Sequence, residues 1–239
     1  MRPLRAISAW ALATMLAGCA SEPTPSESAL SESALSESAP SEPAPALRAM
    51  GPAAEGPPGS DGMPRVRVAW GDGAPLDREA IAFVPRWGAG AALVDPERRL
   101  YEVRPDGARR MIARDATGAL AVDDAELAYV VERGGFAALH VTEADRDDAI
   151  AEGFASIGAL RFLGPGELAF VGARPGGVAG IWHVIAGSTP RCVSNCALRT
   201  GAPLDGLVPL PLDASSIVRT GDALEWTASD GAIVRGSLR

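Results

Sequence analysis

The sequence contains no lysine and no glutamine, and its 239 residues include one asparagine, two histidines and three cysteines. All basic residues are therefore arginine, and with 30 acidic against 22 basic residues the net charge is −8. No basic stripe is present, which argues against a nucleic-acid-binding protein. With so few His and Cys and no recognisable nucleophile–base pair, the sequence predicts no catalytic residues, no metal ligands and no cofactor. An enzyme is disfavoured on these grounds.

Glycine and proline are abundant instead, at 27 and 20 residues. This is too many for a helical bundle and is typical of short strands joined by turns. The length corresponds to one folded domain or two small ones.

The N-terminus has the pattern of a secretory signal. Arg2 and Arg5 precede an apolar run of 11 residues, 6–16, which is too short to cross a bilayer as a helix. The run ends in Leu16-Ala-Gly-Cys19, which resembles the bacterial lipoprotein lipobox. That resemblance implies cleavage after residue 18 and acylation of Cys19, so that residues 1–18 are a signal peptide. The alternative is an ordinary signal peptide with an unrelated cysteine.

Acyl chains on Cys19 would anchor the protein in a membrane. The next residues are Ala20 and Ser21 rather than Asp, and by the same resemblance this implies the outer membrane. We therefore expect a lipid-anchored protein of the cell envelope.

The segment 19–63 is predicted to be a disordered tether. It is built from Ser, Glu, Pro and Ala and repeats five residues from Ser26, Ser31, Ser36 and Ser41. Such a composition has too little apolar area to offset the entropy of ordering the chain, and repeated Glu and Pro extend it.

Residues 64–239 are predicted to form one all-β domain built from internal repeats. A pattern of aliphatic, small or polar, aromatic and β-branched residues recurs at 81–84, 127–130, 168–171 and, more loosely, 224–227. Gly118-Ala-Leu precedes the second copy as Gly158-Ala-Leu precedes the third, and Glu126 and Glu167 stand at the same place. Further strands are expected at 100–103, 138–141 and 181–184.

A period of about 40 residues with several strands per unit indicates a small or incomplete β-propeller of about four units. The alternative is a β-sandwich. We expect the strand at 65–70 to complete the last sheet, formed by 217–220, 224–228 and 233–238, and so to close the ring. Only 143–154 is a plausible amphipathic helix.

Residues 79–186 resemble the β-propeller repeats of TolB and its relatives. The resemblance rests on Leu100-Tyr-Glu-Val-Arg-Pro-Asp-Gly107 with Arg109-Arg-Met-Ile112, and on Leu127-Ala-Tyr-Val-Val-Glu-Arg-Gly-Gly135 with Leu139-His-Val141. The Trp-Ser-Pro-Asp-Gly turn usual in that family is absent. The resemblance implies an envelope protein whose ring binds other proteins, and it implies no catalytic residues.

Three polar features of the sequence are candidate sites. Cys192 and Cys196 are expected to form a disulfide in an oxidising compartment, with a metal or redox site as the less favoured alternative. His140 and His183 precede a valine in successive units, so a repeated structural role is favoured over a joint metal or catalytic site. The run 145–148 lacks the glycine and glutamate of a calcium loop and is read as a solvated loop between blades.

The leading functional hypothesis is a lipid-anchored, non-catalytic binding or scaffold module that contacts another envelope protein. The alternatives are an extracytoplasmic glycan-active enzyme that uses carboxylates, which pKa-raised carboxylates in a pocket would favour, and a purely structural lipoprotein.

Overall fold

The computed structural model describes residues 48–52, 66–69, 75–86, 90–104, 106–123, 125–201, 203 and 207–238. Side chains are described from Ala80 onwards. Cys19, the signal peptide and the repeats of the tether lie outside the described residues. Strand β1, Arg48–Pro52, falls inside the range assigned to the tether.

Eighteen strands are described, and they form five antiparallel sheets in chain order. Sheet 1 contains β1 (Arg48–Pro52), β2 (Val66–Ala69) and β3 (Pro75–Ala80). Sheet 2 contains β4 (Ala82–Pro85), β5 (Ala91–Val94), β6 (Leu100–Val103) and β7 (Arg109–Ala113). Sheet 3 contains β8 (Ala116–Asp123), β9 (Glu126–Arg133), β10 (Phe136–Glu143) and β11 (Arg146–Phe154). Sheet 4 contains β12 (Ser156–Gly164), β13 (Glu167–Ala173), β14 (Gly180–Ile185) and β15 (Arg191–Ser194). Sheet 5 contains β16 (Val218–Thr220), β17 (Ala223–Thr227) and β18 (Ile233–Ser237), preceded by a 3₁₀ turn, Ala214–Ser216.

The all-β prediction is confirmed, and in sheets 2 to 5 the hydrogen-bonded strand order is the chain order. The first strands lie beside one another, because β8 contacts both β4 and β12. Sheets 3 and 4 each have a buried cluster on both faces, which the two layers of a β-sandwich would not give them. The sandwich alternative therefore does not describe this arrangement.

The second strand of each sheet shows why the sheets stack. We call the face toward the preceding sheet the leading face and the other the trailing face. In β9, Leu127 and Tyr129 pack on sheet 2, whereas Ala128 and Val130 pack on sheet 4. The alternation follows from the two-residue period of a strand. Pairs that pack on both sides recur in β5 and β13, whereas β17 packs only its leading pair, Leu224 and Trp226, on sheet 4.

The core between sheets 3 and 4 contains four aromatic residues, and three of them contact one another. The ring of Phe154 meets Trp182 edge-on at 4.9 Å and Phe170 at 5.2 Å between centroids. Arg174 covers the Phe154 ring, with its guanidinium carbon 3.9 Å from the centroid. Aromatic pairs in this geometry add to the stabilisation from their buried area.

Ionic and backbone contacts join neighbouring sheets at the end that carries their first hairpin turns. The Arg86 guanidinium donates to the carbonyl of Ala125 at 2.6 Å, linking sheets 2 and 3. The backbone N–H of Gly166 donates to Glu126 at 2.7 Å, linking sheets 3 and 4. Arg219 of sheet 5 donates to both carboxylate oxygens of Glu167 at 2.6 Å. Glu126 and Glu167, which stand at the same place in two repeats, thus each accept a hydrogen bond from the following sheet.

Four expectations about the elements need correction. The segment 143–154 is not helical, because β11 pairs with β10 over most of it. The repeat pattern at 81–84 does not mark the strand of sheet 2 that is equivalent to β9 and β13. That strand is β5, which is fully buried, whereas 81–84 lies one strand earlier in the chain. The run 145–148 belongs to the β10–β11 hairpin within one sheet rather than to a loop between blades.

The expected ring closure is the fourth correction. Strand β2 is the central strand of sheet 1, hydrogen-bonded to β1 and β3, so it does not complete sheet 5. Because both edges of β2 are hydrogen-bonded to strands of sheet 1, β2 cannot pair with β18.

Candidate functional site

The first strands of sheets 3 and 4 enclose a cavity of about 570 Å³ with the segment that leads into sheet 5. Its walls are residues 118–123 of β8, 159–162 of β12 and 212–215. Most of the lining residues are apolar, but polar atoms contribute more of the exposed cavity surface than apolar atoms do. Leu212 projects from the third wall with 79% of its surface exposed. A cleft that presents apolar and polar groups side by side can hold a ligand.

A bulge in each first strand shapes the cavity. Ladder pairing between β8 and β9 passes from Ala116 directly to Leu120, and pairing between β12 and β13 passes from Gly158 to Arg161. Ala159, inside the second bulge, has a left-handed φ of 50°. A bulge leaves its extra residues without ladder partners and re-aims the side chains that follow. The repeated Gly-Ala-Leu segments of the sequence are these two bulges.

Three charged side chains reach the cavity: Asp123, Arg161 and Asp213. Asp213 caps the 3₁₀ turn by accepting from the backbone N–H of Ser215 at 2.9 Å and from its hydroxyl at 2.6 Å. These hydrogen bonds, with a smaller contribution from Arg161, lower the pKa of the Asp213 carboxyl. A depressed pKa keeps Asp213 ionised, which is the opposite of what a general acid requires.

The two histidines are not brought together. In the ladder, His140 faces Tyr129, whereas His183 faces Ala169, the counterpart of Ala128. This one-residue offset places His140 on the leading face of sheet 3 and His183 on the trailing face of sheet 4. The prediction that they occupy the same place is therefore wrong.

Each histidine lies beside a different carboxylate, and only His183 makes a hydrogen bond to its neighbour, since the buried Nδ1 of His140 has no hydrogen-bond partner among the described residues. His140 stacks on Tyr129 at 5.2 Å between centroids, and its Nδ1 lies 3.4 Å from Asp147. The Tyr129 hydroxyl donates to Asp147 at 2.8 Å, and burial together with this hydrogen bond raises the pKa of Tyr129. His183 Nε2 lies 2.6 Å from Glu167, the carboxylate that also holds Arg219.

Cys192 and Cys196 form a disulfide with their Cα atoms 5.7 Å apart, which confirms the predicted pairing. It closes the turn after β15 against β14. A Cβ on Gly180 would lie 2.9 Å from both Cys196 N and Cys196 Sγ, so this close approach requires glycine there. Over the described ranges, no group of three or more His, Cys, Asp or Glu side chains is placed to hold a metal ion. That same part of the chain contains no helix long and apolar enough to cross a membrane.

Sequence reasoning assigned no functional role to any residue of the cavity. Asp123, Arg161, Leu212 and Asp213 belong to no motif, and only folding brings their segments together. The available signal was the repeated Gly-Ala-Leu, which marked the bulges without revealing that they face a common space.

No protein-family model matches the chain, and no curated protein matches it. Among solved structures, a mutant puromycin hydrolase in complex with PGG is similar over 72% of this chain and 29% of its own, with 16% identity and a TM-score of 0.43. An S. cerevisiae assembly of Dbp5 with Nup159, Gle1, IP6 and ADP gives 72% and 73%, with 8% identity and a TM-score of 0.38. TolB from Acinetobacter baumannii gives 73% and 59%, with 12% identity and a TM-score of 0.28. At these values, the argument for function rests on the cavity itself.

Proposed function

We propose that this protein is a lipid-anchored, non-catalytic binding module of the cell envelope, whose sheets form an incomplete β-propeller. Its ligand is a segment of another envelope protein, held in the cavity between β8, β12 and residues 212–215. The cavity carries this proposal, because it is an open cleft that exposes Leu212 beside three charged side chains, those of Asp123, Arg161 and Asp213. The lipobox-like Leu16-Ala-Gly-Cys19 supports the anchor, and its Ala20-Ser21 sequel supports the outer membrane.

Leu212 offers the most direct test of where the partner binds. Ile233 is a matched control, since it is also an aliphatic residue with 79% of its surface exposed but does not line the cavity. A photoreactive amino acid is placed at either position in the full chain, and living cells are irradiated. We expect one envelope protein to be crosslinked from position 212 and not from position 233. The same set of proteins from both positions would contradict the proposal.

The anchor is tested separately with Cys19→Ser. Loss of the acylated thiol should move the protein from the membrane fraction to the soluble fraction. Ser21→Ala leaves the cysteine intact and should leave the distribution unchanged. Retention of Cys19→Ser in the membrane pellet would show that lipidation does not hold the protein there.

A further inference from the structure

The connection between β8 and β9, which begins at the cavity, is acidic. The sequence at 123–126 is Asp-Asp-Ala-Glu, and Asp123 lines the cavity. In the ladder Asp123 lies directly opposite Glu126, and like charges in this arrangement repel each other. Glu126 accepts the backbone N–H of Gly166, but within the described part of the chain neither carboxylate forms an ion pair.

The equivalent place in the next sheet is built differently. Glu167, the counterpart of Glu126, receives the guanidinium of Arg219 on both carboxylate oxygens at 2.6 Å. Arg219 is the first-strand residue opposite the leucine of the second strand in sheet 5, and the residue at that position in sheet 4 is Phe162. The following sheet therefore offers a cation to Glu167, whereas it offers Glu126 the apolar Phe162, which lines the cavity.

The arginines at the turn and in the cavity have carboxylates of their own. Arg86 donates to a backbone carbonyl of the turn, while its ion pair is with Glu102. Arg161 attracts Asp213, so these two charges of the cavity offset each other. Asp123, which is half-buried, therefore leaves the cavity with a net negative charge.

From these contacts we infer that the segment bound in the cavity inserts a basic side chain, lysine or arginine, beside Asp123. This side chain does for the Asp123–Glu126 pair what Arg219 does for Glu167, while an apolar part of the segment covers Leu212. The net charge of −8 also attracts a basic segment and repels an acidic one. The inference rests on the proposed function and specifies a residue type that the partner must present.

A random nonapeptide library displayed on phage, panned against the full chain at low ionic strength, tests the residue type. We expect the enriched peptides to be rich in lysine and arginine, and this preference should disappear with Asp123→Arg. Glu143→Arg is the matched control, because Glu143 also ends a strand at a hairpin turn but does not line the cavity. It changes the net charge equally and should leave the preference unchanged.

Affinities of single selected peptides provide the second readout. Replacing the basic residue of the peptide by Gln should weaken binding to the wild-type chain by up to about fivefold, the range of an exposed ion pair. The loss should disappear with Asp123→Asn and persist with Glu143→Gln. Because Asp123→Asn relieves the repulsion from Glu126, it should not lower the midpoint of urea unfolding, so that weaker binding does not reflect unfolding.

Peptides without a basic preference, or a preference that Asp123→Arg and Glu143→Arg reduce equally, would overturn the inference. Such a result would leave the proposed function standing if the crosslink at position 212 is still obtained. Loss of that crosslink would instead remove the proposed function itself.

Discussion

The burial and the contacts of a side chain in this molecule depend on which face of a strand it occupies. Tyr129 lies on the leading face of sheet 3 and is only 1% exposed, yet its hydroxyl finds Asp147 on β11. A buried hydroxyl with a carboxylate acceptor favours the neutral phenol, which is why the pKa of Tyr129 is raised.

This shift predicts a pH dependence of stability. In the unfolded chain a tyrosine ionises near pH 10, whereas folded Tyr129 keeps its proton to higher pH. Its contribution to the free energy of unfolding is therefore complete below about pH 10 and is lost as pH rises toward the folded pKa. We expect Tyr129→Phe to flatten this alkaline decline, measured by urea unfolding at several pH values.

The sequence has two tyrosines, so Tyr101→Phe is the natural control and should retain the decline. Phenolate absorbance checks the same point, because Tyr129 should ionise together with alkaline unfolding. Ionisation of Tyr129 in a chain that is still folded would contradict the prediction.

Residue patterns predicted part of this arrangement and missed another part for a physical reason. The alignment of 127–130 with 168–171 was right because both segments bury Leu and an aromatic residue on one face and Ala and Val on the other. Residues 81–84 follow the same residue pattern but lie at the first strand of sheet 2 rather than at its second. The two histidines lie on different faces because their strands pair with the neighbouring strand in different registers. The shared valine that follows each histidine gives no information about that register.

At the scale of elements, hydrogen bonds and ion pairs near the hairpin turns join sheets 2 to 5, and Glu167 makes two of these contacts. Its carboxylate, 13% exposed, meets His183 from its own sheet and Arg219 from sheet 5. Removing it leaves the buried His183 ring without its hydrogen-bond partner.

Glu167→Ala should therefore lower the free energy of unfolding by about 1–3 kcal/mol, the cost of an unsatisfied buried polar group. Arg219→Ala removes only the more exposed partner and should cost about 0–1 kcal/mol. Urea unfolding of both variants gives the comparison. An equal or larger loss for Arg219→Ala would show that the His183 contact contributes little.

At the scale of the whole molecule, sheet 5 differs from the sheets before it in the residues of its trailing face. The trailing residues of the second strand are Ala92 and Val94 in sheet 2, and Ala and Val recur at the equivalent positions of sheets 3 and 4. In sheet 5 the equivalent residues are Glu225 and Thr227, and Glu225 lies 3.6 Å from Arg235 on the same face. Polar residues at these two positions disfavour packing of this face on another sheet, because their burial without partners costs free energy.

This difference between the trailing faces of sheets 4 and 5 predicts different outcomes for two opposite double variants. Glu225→Ala with Thr227→Val gives sheet 5 the trailing face of an internal sheet, beside the already exposed Val218 and Ile233. We expect this double variant to self-associate in sedimentation velocity at concentrations where the wild type does not, because apolar area buried between copies favours association. The reverse change in sheet 4, Ala169→Glu with Val171→Thr, places a charge in the core beneath sheet 5. It should unfold the domain rather than alter its association, since a buried unpaired charge is among the most destabilising changes. If the double variant in sheet 5 stays monomeric, Glu225 and Thr227 are not what prevents this face from packing on another copy.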